Sequence, residues 1–281
     1  MKIAYTSDIH LEFFIDTPKP KTAKSQWQDF PFHVFENQNK DIDCLILAGD
    51  VVPLKLYRNQ YVDKFWHFIN ERFSKVIVIA GNHEFYKGEV LSEETYREFK
   101  KSLVPFKNIE FLQNESYALD EAGDVIVTGS TLWTSLNNSD PNVAWRIVQG
   151  MNDFVQIKNE SGRLLNADNW LYEYKESLEF ISKALERYQD KKHVVVTHHA
   201  PSKLSVSSIY NDPRNVMNFG YYSDLEDLIL DHKPKAWIHG HMHHTKDYKI
   251  GDTYVALNAM GYYGHEYGAW DKSYKLETFE V

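Results

Sequence analysis

Six short apolar runs along the chain predict strands that are buried on both faces. They lie at residues 3–6, 43–48, 76–80, 124–128, 193–197 and 235–239. Most of them lack the alternation of apolar and polar positions that a strand with one face in water would show. Continuous apolar runs of this length are typical of strands that have other elements packed on each side.

Helical patterns lie between several of these runs. Apolar and aromatic residues recur at helical spacing in 57–73 and again in 168–188. Because strands that alternate with helices are typical of α/β proteins, we expect an α/β domain.

The C-terminal third predicts one more helix and a hairpin. Ser223 and Glu226 have the spacing of a capping box, and Pro234 is expected to end the helix that follows it. Residues 246–258 then predict a hairpin that turns near Gly251 and Asp252. The sheet arrangement is therefore expected to be mixed.

Two long segments, 13–39 and 131–166, are weakly patterned. Long irregular segments inside compact domains are often functional loops or lids, although plain surface loops are the alternative. No repeat, low-complexity tract or clear linker divides the chain. We therefore expect a single domain over residues 1–281, with a candidate lid or insert at about 131–166.

The composition excludes some classes of function. The 281 residues are 43% hydrophobic and 25% charged, and the net charge of −9 argues against an extended nucleic-acid or anionic-membrane surface. The single cysteine, Cys44, lies inside an apolar run, so we expect a core residue and no intrachain disulfide. No signal peptide or membrane-spanning stretch is evident in the sequence, which favours a cytoplasmic protein.

Polar side chains follow five of the six runs directly. Because the carboxyl ends of strands form the rim at which α/β proteins bind ligands, we expect these side chains to converge on one edge. They are Asp8 and His10 after the first run, Asp50 after the second, Asn82, His83 and Glu84 after the third, His198 after the fifth, and His241 and His243 after the sixth.

This set of carboxylates, imidazoles and one amide contains no thiolate. Such ligands suit manganese, iron, zinc or nickel. The candidates are too many for one tetrahedral ion, so two divalent ions with a shared carboxylate fit better. The chain has no Gly-x-Ser-x-Gly elbow, no phosphate-binding loop and no dinucleotide fingerprint, which argues against the other common catalytic classes.

The series Asp-x-His, Gly-Asp, Gly-Asn-His-Glu, His and Gly-His-x-His resembles the calcineurin-like metallophosphoesterases. The resemblance runs from Lys2 to beyond Asn258, and the phrases at 131–134, 151–154 and 196–202 are similar to a bacterial-type subgroup. It implies a four-layer α/β/β/α sandwich, in which helices flank two mixed sheets.

The resemblance also implies a role for each position. The implied ligands are Asp8, His10 and His243 for the first ion and Asn82, His198 and His241 for the second, with Asp50 shared between the two ions. His83 is expected near the leaving group, as general acid or as donor to the phosphoryl oxygens, and Glu84 is expected to orient His83. Asp50 and His83 are thus the expected catalytic residues.

The expected activity is hydrolysis of phosphate mono- or diesters by a hydroxide that bridges two metal ions, with manganese as the first choice of metal. The expected partner is a phosphate-ester substrate of a kind that the sequence does not specify. Two alternatives stay open at this point. One is a nuclease of the same superfamily, and the other is a catalytically silent scaffold that binds metal and a protein partner.

Overall fold

Two mixed β-sheets form the centre of the molecule in the computed structural model, which describes residues 1–15, 30–37, 40–212, 214–263, 266 and 273–281. Eleven strands lie within these described ranges. In chain order they are β1 (Lys2–Thr6), β2 (Cys44–Ala48), β3 (Val76–Ile79), β4 (Ile109–Phe111), β5 (Glu115–Ala118), β6 (Val125–Ser130), β7 (Lys192–Thr197), β8 (Ala236–His239), β9 (Thr245–Ile250), β10 (Thr253–Asn258) and β11 (Glu277–Glu280).

The first sheet has the strand order β11-β1-β2-β3-β4, and the second has the order β5-β6-β7-β8-β10-β9. In the first sheet, β1 to β4 are parallel and β11 runs antiparallel to β1. In the second sheet, β6, β7, β8 and β10 are parallel, whereas both edge strands run antiparallel to their neighbours. Parallel strands therefore occupy the middle of the second sheet and most of the first.

Helices cover the outer faces of the sheets. They are α1 (Glu12–Ile15), α2 (Gln60–Arg72), α3 (Glu93–Leu103), α4 (Leu136–Ser139), α5 (Pro141–Gly150), α6 (Asp153–Gln156), α7 (Ala167–Arg187) and α8 (Glu226–His232). The short turn α4 is unusual, because all four of its residues have positive φ.

Each central strand buries both of its faces, which explains the continuous apolar runs. In β2, Cys44, Ile46 and Ala48 pack in the layer between the two sheets. Leu45 and Leu47, which alternate with them, belong to the cluster that includes the helices. Burial of the Cys44 side chain confirms its expected place in the core. The order of layers is helix, sheet, sheet, helix, as predicted.

The strongest sequence patterns are confirmed. All six apolar runs form strands, namely β1, β2, β3, β6, β7 and β8, and the two long helical patterns form α2 and α7. The predicted hairpin is β9 and β10, joined at Gly251 and Asp252. The helices α3 and α5 and the strands β4, β5 and β11 were not predicted.

The predicted capping box is wrong. Helix α8 begins at Glu226, with Leu225 at the N-cap position and without a side-chain cap. The Ser223 hydroxyl instead accepts from the main-chain N–H of Ser135 (3.0 Å), and the Glu226 carboxylate accepts from the hydroxyl of Ser202 (2.7 Å). Both side chains are thus engaged by segments distant in sequence. The helix ends at His232, close to Pro234 as expected.

The segment at 131–166 is more regular than its sequence pattern indicated. It contains α4, α5 and α6, and Val143, Ile147 and Phe154 are part of the hydrophobic core. Its proposed role as a lid or insert stays a prediction, as does the single-domain organisation. Of the segment at 13–39, residues 16–29, 38 and 39 lie outside the described residues. Among the helices that the structure describes, none has the length and apolar character needed to cross a membrane.

Candidate metal centre

Loops at the carboxyl ends of β1, β2, β3, β7 and β8 carry the candidate ligands. Five of these ligands have left-handed backbone conformations, which cost a non-glycine residue roughly 1–3 kcal/mol. They are Asp8 (φ 53°), His10 (φ 50°), Asp50 (φ 54°), His241 (φ 68°) and His243 (φ 45°). Strain of this kind persists where the surrounding structure holds it, and it clusters at functional sites.

Hydrogen bonds from the main chain hold these loops together. The N–H of Asp8 donates to the carbonyl of Gly49 (3.0 Å), and the N–H of His10 donates to the carbonyl of Asp50 (3.0 Å). The N–H of His241 donates to Oδ2 of Asp8 (3.0 Å). The loops after β1, β2 and β8 are therefore fixed relative to one another.

The first cluster consists of Asp8, His10, Asp50 and His243. Donor atoms of these four side chains lie within 4.8 Å of one another. Nε2 of His243 is 3.2 Å from Oδ1 of Asp8 and 3.2 Å from Nε2 of His10. Two imidazole nitrogens that approach so closely need a proton or a cation between them.

The second cluster consists of Asp50, Asn82, His198 and His241. Donor atoms of Asp50, His198 and His241 lie within 4.8 Å of one another. Nε2 of His198 is 3.4 Å from Oδ2 of Asp50 and 3.0 Å from Oδ1 of Asn82. Asp50 thus belongs to both clusters, and the structure brings all seven candidate ligands together.

The donor atoms of both clusters fit divalent metal ions. They are nitrogen and oxygen atoms from side chains that are almost completely buried, apart from the partly buried His243, and no thiolate is among them. Within the part of the chain that the structure describes, Nε2 of His241 is buried without a hydrogen-bond partner. Buried carboxylates and unpaired imidazoles are costly unless a cation compensates them. Manganese, iron, zinc and nickel all accept this donor set.

The electrostatics of the clusters point the same way. Burial alone would lower the pKa of His198, but the charge of Asp50 raises it to about 9. Burial would also lower the pKa of His243, but Asp8 raises it to about 10. Burial would raise the pKa of Asp50, but the neighbouring histidines hold it well below its ordinary value. Protons on the two imidazoles therefore balance the carboxylates, in places where a metal ion would replace them.

His83 lies beside both clusters, and its partner is not the predicted one. Nδ1 of His83 donates to Oε1 of Glu12 over 3.0 Å, and Nε2 lies 3.1 Å from Oη of Tyr262. Burial alone would lower the pKa of His83, but Asp50 and Glu12 raise it. This environment favours the protonated ring, which is the form that can donate a proton.

The expectation that Glu84 orients His83 is wrong. One Glu84 oxygen accepts from the main-chain N–H groups of Asp50 (3.0 Å) and Gly81 (2.6 Å), and the other accepts from those of Val51 (2.7 Å) and Val52 (3.3 Å). The carboxylate therefore braces the loops that carry Asp50 and Asn82. Burial and the charge of Asp50 raise the pKa of Glu84 to about 8, although the amides favour its charged form.

Two carboxylates that the sequence reasoning missed touch the candidate ligands. Oε1 of Glu12 also accepts from Nδ1 of His10 (3.2 Å), so one oxygen serves two rings. Oε2 of Glu266 accepts from Nδ1 of His243 (2.5 Å). Each contact engages Nδ1 and so turns the Nε2 atom of the ligand toward the first cluster. A signal for Glu12 is present in the sequence, because it stands two residues after His10.

Comparison with known proteins agrees with this arrangement. Residues 1–245 match the family of calcineurin-like phosphoesterases. The chain belongs to this family. Membership in the calcineurin-like phosphoesterases confirms the resemblance that the motifs indicated, and it supports a hydrolase that acts on phosphate esters with divalent metals.

Individual proteins similar to this calcineurin-like phosphoesterase include one of nearly matching length. The chain is 30% identical over 276 residues to the uncharacterized protein L509 of Acanthamoeba polyphaga mimivirus, with coverage of 94% of this chain and 92% of the viral protein. It is 27% identical over 144 residues to the DNA polymerase II small subunit of Methanothermobacter thermautotrophicus, with coverage of 45% of this chain and 30% of that subunit.

A solved structure supports the fold assignment. The phosphopantetheinyl hydrolase PptH of Mycobacterium tuberculosis aligns with a TM-score of 0.69 at 14% identity, over 97% of this chain and 92% of that chain. At this level of identity the similarity concerns the fold, and specificity is a property of the site.

Proposed function

We propose that the chain hydrolyses phosphate mono- or diesters with two divalent metal ions, one at each cluster. Manganese is the first choice, and iron, zinc or nickel also suit the ligands. The observation that carries the proposal is the position of Asp50, whose carboxylate belongs to both clusters. A shared carboxylate is what two closely spaced ions need.

The residues of the clusters have separate tasks in this proposal. When bound, the two ions would supply positive charge for the phosphoryl oxygens and lower the pKa of the attacking water. Asp8, His10 and His243 hold the first position, and Asn82, His198 and His241 hold the second. Burial of these side chains excludes bulk water and strengthens their interaction with charge.

His83 donates a proton to the leaving oxygen in this proposal. Its Nδ1 is anchored on Glu12, so Nε2 is the atom that faces the reacting group. In the structure Nε2 lies 3.1 Å from the Tyr262 hydroxyl, so this nitrogen is within hydrogen-bond reach of an oxygen atom on that side. The raised pKa of His83 keeps its proton available near neutral pH.

The experiment compares p-nitrophenyl phosphate with bis-p-nitrophenyl phosphate, using metal-stripped protein refilled with manganese. Manganese-dependent release is expected from at least one ester. His83→Ala should lower turnover of phenyl phosphate, which has a poor leaving group, by about 100-fold or more without loss of metal. The loss on the nitrophenyl esters should be smaller, because p-nitrophenolate leaves with little need of a proton. His67→Ala is the matched control, because His67 is an exposed residue of α2.

The two alternatives are tested by adding DNA to the same set of substrates. Cleavage of DNA with a steep salt dependence, in the absence of activity on the small esters, would favour a nuclease. The net charge of −9 counts against that outcome. Two bound ions without turnover on any ester would favour a scaffold and contradict the catalytic proposal.

A further inference from the structure

Asp153 is a buried carboxylate next to the second cluster, and the proposed chemistry does not use it. It is the first residue of α6, and its side chain is almost fully inaccessible. Oδ2 accepts from the hydroxyl of Tyr86 over 3.4 Å, whereas Oδ1 has no hydrogen-bond partner among the described residues. Because an unpaired buried carboxylate oxygen is costly, its presence here calls for a physical reason.

Tyr86 connects Asp153 to one of the candidate ligands. Its hydroxyl oxygen lies 3.4 Å from Nδ2 of Asn82. Asn82, Tyr86 and Asp153 therefore form a chain of hydrogen bonds that ends at the carboxylate. Tyr86 also stacks on the ring of His83, with centroids 3.9 Å apart, so its ring is held in place.

The carboxylate gives this chain a direction. Oδ2 of Asp153 accepts the hydrogen of the Tyr86 hydroxyl, which leaves the Tyr86 oxygen as an acceptor. The Tyr86 oxygen then accepts from the amide nitrogen of Asn82. The amide oxygen of Asn82 consequently faces the opposite way, toward Nε2 of His198 at 3.0 Å.

We propose that Asp153 is a positioning residue that acts through Tyr86 to hold the amide oxygen of Asn82 toward the second cluster. The orientation matters because the two ends of an amide have similar shapes but opposite chemistry. Only the oxygen has lone pairs for a metal ion, and the nitrogen would present hydrogens instead. The inference rests on the proposed function, since it treats Asn82 as a ligand.

The test is a manganese titration of metal-free protein, in which the His241→Ala variant identifies the binding step of the second cluster. Tyr86→Phe keeps the stacked ring but removes the hydroxyl, and Asp153→Leu removes the acceptor. Each should weaken the second step by about tenfold and leave the first unchanged, as expected for the loss of a ligand-orienting partner. Asp153→Asn, which still has an oxygen to accept from Tyr86, should retain most of the affinity.

The double variant separates a relay from two independent effects. Because Asp153 acts through Tyr86, combining Tyr86→Phe with Asp153→Leu should weaken the second step no further than either change alone. Tyr96→Phe is the matched control, since the hydroxyl of this buried tyrosine contacts Thr131 instead of the cluster. If Asp153→Leu does not fold, Asp153→Ala takes its place in the single and the double variant, and an unchanged second step in Tyr86→Phe still overturns the proposal.

Each outcome is informative. An unchanged second step in Tyr86→Phe, an equal loss at both steps, or additive losses in the double variant would overturn the role of Asp153 and leave the proposed function intact. A wild-type chain that binds no ion at the second cluster would contradict both the inference and the proposed function.

Discussion

Oε1 of Glu12 lies 3.0 Å from Nδ1 of His83 and accepts its hydrogen. The same oxygen accepts from Nδ1 of His10, so a single carboxylate fixes the tautomer of a candidate metal ligand and of the proposed proton donor. Burial would raise the pKa of Glu12, but contacts with the two histidines lower it to about 2. Glu12 therefore stays ionised throughout the physiological range.

Glu12→Gln should lower turnover by about 10- to 100-fold, because the amide cannot supply the charge that holds both rings. The charge of Glu12 helps to raise the pKa of His83, so its loss should lower that pKa. A general acid works only while protonated, and activity should then fall at a lower pH than in the wild-type protein. The measurement is the pH dependence of kcat beside Glu94→Gln, an exposed control on α3. If kcat of Glu12→Gln falls at the same alkaline pH as in the wild-type protein, the result would contradict this role of Glu12.

Metal binding should release protons. Without a metal, the pKa values of His198 and His243 are raised to about 9 and about 10, so both rings carry protons at neutral pH. A metal ion must displace these protons, and its affinity should rise with pH up to about 9. Calorimetry in two buffers of different ionisation enthalpy measures the number released. Affinity that is independent of pH between 7 and 9 would be inconsistent with these protonation states.

Gly49→Ala should destabilise the protein more than a comparable change elsewhere. Gly49 has φ +88°, and an added Cβ would lie 2.5 Å from Nδ1 of His198. Gly123 also has a positive φ, +66°, but an added Cβ there meets open space. Denaturant unfolding should therefore show a loss of about 1 kcal/mol in Gly123→Ala from the backbone alone, and a larger loss in Gly49→Ala. Equal losses of stability in the two variants would mean that the structure around His198 shifts to accommodate the Cβ added at Gly49.

The sequence predicted the central strands and the ligands at their ends for one physical reason. Strands buried on both faces are continuously apolar, so the polar residue that follows each of them, such as Asp50 after β2, is conspicuous. Short strands such as β4 and β11 escaped prediction, because they are edge strands of three and four residues.

Contacts between side chains were harder to predict than positions along the chain. Glu84 follows His83 directly, yet its carboxylate accepts from the main chain of the β2 loop. The partner of His83 is Glu12, which is 71 residues away in sequence. Ser223 likewise serves Ser135, 88 residues away, instead of capping α8. Tertiary packing determines which groups these side chains contact, and the local spacing of residues in the sequence does not predict it.

The metal content of Asp50→Asn tests the central claim most directly, with Asp63→Asn on the exposed face of α2 as the control. Asp50 belongs to both clusters, so the substitution should remove or weaken both ions, whereas His243→Ala and His241→Ala should each weaken one. Mass spectrometry of metal per chain, beside turnover of the two nitrophenyl esters, gives the result. We predict that the variant loses both ions and that its turnover is lost as well. Two retained ions with full turnover would contradict the shared role of Asp50.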